Sequence, residues 1–133
     1  MHRGSCLCGA VTYEIDGEIG AGYYCHCRRC RKASGSVMAA NALIDPASLR
    51  ITSGGEALRT YFAEATGLER RFCGLCGSPI VSHRPATGRT AIRLGSLDTA
   101  PPHGPGAHIF VASKASWEDL DERLPCHAEF PPL

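Results

Sequence analysis

No long apolar run interrupts this chain. The longest are of four residues, such as Val37 to Ala40, far short of the roughly 20 residues a membrane-spanning helix needs. The opening Met1-His2-Arg3-Gly4-Ser5-Cys6 lacks the apolar core of a secretory signal, so a cytoplasmic location is expected. Charge excess is also missing. Fourteen Lys and Arg stand against thirteen Asp and Glu, a formal net charge of +1. That sets aside duplex nucleic acid as the main partner. No solenoid repeat and no low-complexity tract occurs. Long helices are excluded too, because fifteen glycines and nine prolines punctuate most windows. With 44% hydrophobic and 20% charged residues, the 133 residues read as one globular domain, 1–133, with a modest core.

What remains is a pattern of short strands. Ala10 to Ile15 alternates at period two, with Val11, Tyr13 and Ile15 on one face, the mark of a half-buried strand. Further strands are expected at Val37–Ile44, Leu49–Thr52, Leu58–Phe62, Arg70–Phe72, Pro79–Ser82, Thr90–Leu94 and His108–Val111. One short helix is expected from Arg28 to just before Gly35, which can cap it. A second is expected over Ser116–Leu120, with Ser116 as N-cap. The tail, Leu124 to Leu133, reads as extended. The fold class is mainly β.

Eight cysteines then need an explanation. A reducing compartment disfavours four disulfides, and cysteines one residue apart are strained as direct partners but well placed to chelate an ion. Their order is Cys6-x-Cys8, Cys25-x-Cys27-x-x-Cys30, Cys73-x-x-Cys76 and a solitary Cys126. Seven thiols divide into four plus three. The knuckle Cys73-Gly74-Leu75-Cys76-Gly77 supplies two ligands, and Cys6 with Cys8 supplies two more, which closes a tetrahedral zinc site that adds folding energy. Cys25, Cys27 and Cys30 leave the fourth zinc position open, as reactive sites do. Three thiolates make such an ion a weak Lewis acid, better suited to holding a soft thiolate than to activating water. This second, more exposed ion is expected to be the more easily lost. Completion of the trio by Cys126 or a histidine stays open at this level, as does redox cycling of Cys27 and Cys30.

These motifs resemble the glutathione-dependent formaldehyde-activating enzyme family, also called the centromere-protein-V-like domain. The resemblance runs through Gly4-Ser5-Cys6-Leu7-Cys8-Gly9-Ala10-Val11-Thr12-Tyr13, Cys25-His26-Cys27-Arg28-Arg29-Cys30-Arg31-Lys32-Ala33-Ser34-Gly35-Ser36, Phe72-Cys73-Gly74-Leu75-Cys76-Gly77-Ser78, Gly95-Ser96-Leu97-Asp98 and His108 to Lys114 with Trp117, spanning residues 4 to about 125. It implies an antiparallel β-tent fold built around cysteine-ligated zinc. It implies a structural zinc on Cys6, Cys8, Cys73 and Cys76, and a catalytic zinc on Cys25, Cys27 and Cys30. The activity implied is a carbon–sulfur lyase like S-(hydroxymethyl)glutathione synthase, with glutathione as co-substrate. Small thiols and aldehydes are the expected partners, with neither nucleic acid nor membrane. A non-catalytic zinc-binding interaction module and a thiol-redox sensor are the competing readings.

Other residues carry weaker expectations. His26, Ser34 or a backbone N–H are the candidate donors to a developing alkoxide. His26, flanked by two ligands, is expected to turn away from them into a structural hydrogen bond, and His108 to be a core or supporting residue. Arg28, Arg29, Arg31 and Lys32 read equally as a rim that attracts an anionic thiol and as a solvated turn. Trp117, Phe110 and Phe72 are expected in the core.

Overall fold

The computed structural model describes residues 1–131. In chain order the elements are β1 (His2–Ser5), β2 (Thr12–Ile15), β3 (Gly22–Cys25), α1 (Arg28–Ser34), β4 (Ala39–Ile44), β5 (Leu49–Ser53), β6 (Leu58–Ala63), β7 (Leu68–Cys73), β8 (Pro79–His83), β9 (Thr90–Arg93) and β10 (Ala107–Ile109). The mainly β expectation holds, and antiparallel pairing dominates. Among the described residues, no helix is long and apolar enough to cross a membrane. The chain forms two compact units, each woven from two separated segments.

The first unit combines Met1–Gly20 with Ala42–Pro102. In it β2 pairs antiparallel with β1 on one side and β5 on the other. A second group runs β6, β7, β8, β9 as an antiparallel meander. The alternation read from sequence is what builds the core: Val11, Tyr13 and Ile15 are all buried, together with Ile80, Ile92, Cys6 and Cys73. Tyr13 needs space that only glycine leaves. A Cβ on Gly4, its register partner, would lie 2.2 Å from the phenol ring carbon and oxygen. The phenol itself meets the Ser96 hydroxyl at 2.6 Å. β1, fastened in this way, delivers the chain directly to Cys6.

The second unit combines Ala21–Asn41 with the chain from His103 onward. β3 and β10 pair in parallel, with His108 beside Tyr24 and Ile109 beside Cys25. The buried apolar cluster is small: Cys25, Cys30, Ala39 and Ile109. α1 starts where expected, with Cys27 as its N-cap, and ends at Gly35 in the left-handed conformation, φ 65°. After β10 the chain turns at Phe110, whose φ of 57° is left-handed. Backbone N–H groups of Phe110 and Val111 then donate to the carbonyls of Glu129 and His127.

The structure departs from the sequence expectation at several places. Ser116–Leu120 is a turn, not a helix. Glu118 N–H bonds to Ala115 O, and the Lys114 ammonium takes the Glu118 carbonyl at 3.1 Å, so no helical ladder continues. That turn throws Trp117 outward, 74% exposed, against the expectation of a core residue. β1 and β3 were not anticipated. In the tail, Cys126 bridges to His108 and 128–130 bend; residues 132 and 133 of the expected extended stretch lie outside the described residues.

Candidate metal centres

Two turns of the first unit bring four sulfurs together. Cys6 and Cys8 lie in the turn after β1; Cys73 ends β7, and Cys76 follows in the next turn. The four Sγ atoms lie within 4.8 Å of one another. Cys6 and Cys8 sulfurs are 3.6 Å apart, and Cys8 and Cys73 sulfurs 3.9 Å. A disulfide requires about 2.05 Å, whereas sulfurs bound tetrahedrally at about 2.3 Å from zinc stand about 3.8 Å apart. The donor set therefore fits a tetrahedral, thiophilic ion such as zinc.

The backbone is arranged to favour thiolates. Val11 N–H points at Cys6 Sγ (3.3 Å) and Leu75 N–H at Cys73 Sγ (3.4 Å). The turn after Cys73 closes through Gly77, whose φ of 81° suits glycine, with its N–H on Cys73 O at 2.8 Å. Ser78 links the two turns. Its Oγ accepts from Leu7 N–H at 2.8 Å and lies 3.3 Å from Cys76 Sγ. Hydrogen bonding from that hydroxyl, then from the Ser78 and Cys8 N–H groups, lowers the Cys76 thiol to about 5.

In the second unit Cys25, Cys27 and Cys30 bring their sulfurs within the same 4.8 Å limit. Cys25 ends β3, Cys27 caps α1, and Cys30 lies one turn into it. Cys27 Sγ accepts from Cys30 N–H at 3.3 Å. Cys25 and Cys30 are buried, while Cys27 is half-exposed. The neighbouring thiols of Cys25 and Cys30 hold Cys27 far below the ordinary thiol range, and the same contacts push Cys25 up. Among the described residues, no fourth His, Cys, Asp or Glu ligand atom joins this group.

The neighbours of the trio are otherwise engaged. Fully buried His26 has Nδ1 3.0 Å from Glu118 Oε2 and Nε2 2.8 Å from His108 Nδ1. Burial lowers its pKa, against the opposing pull of Glu118. Ser34 Oγ donates to Cys30 O at 2.8 Å. Neither side-chain candidate is therefore free to serve an alkoxide. His26 has turned away from the sulfurs as expected, and His108 is its buried partner. Arg28, Arg29 and Lys32 are exposed on α1, which has no acidic residue in its first turn.

The structure thus groups all seven sequence-selected cysteines in the expected four and three. Cys126 is exposed and belongs to neither group. Sequence reasoning missed Ser78 and Glu118 as supporting residues. Ser78 had a signal, lying two residues after Cys76. Glu118 had none, since it is 92 positions from His26.

A family model described as glutathione-dependent formaldehyde-activating enzyme matches residues 1–113. Among solved structures, the crystal structure of a Rhodobacter sphaeroides protein is similar, at 26% identity and a TM-score of 0.62. That match covers 75% of this chain and 91% of the other.

Proposed function

This chain belongs to the glutathione-dependent formaldehyde-activating enzyme family, and from that premise we propose that it is a zinc-dependent carbon–sulfur lyase joining a small thiol to a small aldehyde. Glutathione and formaldehyde, giving S-hydroxymethylglutathione, are the pair we assign. One observation carries the reading: three sulfurs converge without a fourth ligand among the described residues, while the other four form a complete set. We assign structural zinc to Cys6, Cys8, Cys73 and Cys76, and catalytic zinc to Cys25, Cys27 and Cys30.

Zinc bound by the trio would supply an open coordination position that favours the thiolate form of an incoming thiol. The chain's residues do the rest. Cys25 and Cys30 are fixed within the buried cluster, and half-exposed Cys27 is the sulfur that an arriving thiol meets first. Arg28, Arg29 and Lys32 attract an anionic thiol such as glutathione. In the addition, the thiol gives its proton to solvent, a sulfur–carbon bond forms, and the carbonyl π pair moves to oxygen as an alkoxide. Because His26 and Ser34 are committed elsewhere, the alkoxide takes its proton from solvent. Holding the two reactants together is the main source of acceleration. A reducing cytosol, rich in thiols, is the compartment this chemistry suits.

The test is adduct formation from glutathione and formaldehyde, followed by NMR exchange with zinc-loaded protein. Cys27→Ser is expected to lower the catalysed rate by roughly 100-fold or more while leaving circular dichroism and Tm nearly unchanged. Cys73→Ser is expected to lower Tm sharply, because it opens a folding site. Full activity in Cys27→Ser contradicts the lyase reading. Equal unfolding of both variants contradicts the division into two kinds of site. Tight zinc retention with no rate enhancement by the wild type favours an interaction module instead.

A further inference from the structure

The turn Cys25-His26-Cys27 carries two sulfurs and one imidazole on near-extended backbone, with Cys27 at φ −63° and ψ 153°. Neighbours on extended chain point to opposite sides, so holding the imidazole holds both sulfurs. The imidazole is held unusually firmly. It is fully buried, and a buried ring needs both nitrogens satisfied. A carboxylate can only accept, so Nδ1–H donates to Glu118 Oε2 at 3.0 Å; Nε2 of the neutral ring then accepts from His108 Nδ1–H at 2.8 Å. The His26 backbone N–H adds a third tie, to Ile109 O at 3.0 Å.

Both partners are themselves fixed. The Glu118 side chain is only 11% exposed, and Lys114 Nζ reaches its carbonyl at 3.1 Å. The His108 ring stacks on Tyr24 with centroids 5.1 Å apart. Its backbone is paired on both sides, N–H to Pro125 O and C=O to His127 N–H.

We propose that Glu118, His26 and His108 form a positioning chain that locks the Cys25–Cys27 turn and thereby sets how tightly the trio holds its ion. The inference rests on the trio binding a metal, as argued above. The four-cysteine group has four ligands and the local Ser78 link to hold its geometry. With three ligands, displacement of one sulfur is a larger fraction of the binding. A buried apolar residue at position 26 would fill the space but leave the turn free to rotate. Two directed hydrogen bonds remove that freedom.

Cobalt(II) titration against a competing chelator, read by the sulfur-to-cobalt charge-transfer band, measures both groups in one experiment. Glu118→Ala and His108→Ala are expected to weaken cobalt binding at the trio by roughly 10–100-fold and leave the four-cysteine group unchanged. His108→Asn, whose amide N–H stands near the position of Nδ1–H, is expected to recover most of the loss. Equal weakening of both groups, or variants that fail to fold, would show general support of the fold and overturn the inference. Wild-type affinity at the trio in both alanine variants overturns it as well, while the lyase reading stands. A wild type that takes up cobalt at the four-cysteine group alone overturns both.

Discussion

Metal chemistry at the residue scale is written locally, which is why the cysteines were legible. Within the trio and within each pair, successive ligands are separated by only one or two residues, so spacing alone grouped Cys25, Cys27 and Cys30 and paired Cys6 with Cys8 and Cys73 with Cys76. Their supports were not legible. Glu118 and His108 reach His26 from 92 and 82 positions away, and no local pattern encodes such a contact. Tyr13 shows a second kind of long-range support that can be tested by pH. Burial, opposed by the Ser96 hydrogen bond and helped by Asp98, pushes its phenol up to about 12, against about 10 in an unfolded chain. The folded state therefore holds this proton more tightly. Its contribution is complete below about pH 10 and is lost as pH rises through about 12. Chemical denaturation should find wild type more stable than Tyr13→Phe by about 1 kcal/mol at pH 8, from the buried hydrogen bond. That advantage should shrink between pH 10 and 12; a constant advantage would contradict the assignment.

Periodicity and capping carried the elements. β2 was readable because its inward positions are Val11, Tyr13 and Ile15, and α1 because Gly35 marks its end. β1 and β3 escaped because His2–Ser5 and Gly22–Cys25 are short and lack apolar alternation. They are strands by virtue of their partners. Ser116–Leu120 had a good N-cap but no helix, since Glu118 is drawn inward to His26 and its carbonyl to Lys114. The cap of α1 offers a clean test. A Cβ at Gly35 meets nothing within 4 Å, so only the left-handed φ of 65° resists it. Gly35→Ala should cost about 1 kcal/mol and lower Tm by about 4 °C, measured by calorimetry on the metal-loaded protein. No loss would mean that the helix ends differently.

At the scale of the whole molecule, the two units differ in what holds them together. The first has a sizeable aliphatic core in which Cys6 and Cys73 are buried; the second has a four-residue cluster of which two members are Cys25 and Cys30. Neither unit was legible in the sequence, because each joins segments separated along the chain. Both metal sites, and the reaction assigned to one of them, follow from how seven sulfurs divide unequally. A crystal structure of the zinc-loaded protein with glutathione tests that division most directly. One zinc is expected on Cys6, Cys8, Cys73 and Cys76, and another on Cys25, Cys27 and Cys30 with the glutathione sulfur as fourth ligand. A fourth protein side chain on the second zinc, or no zinc at that trio, would contradict it.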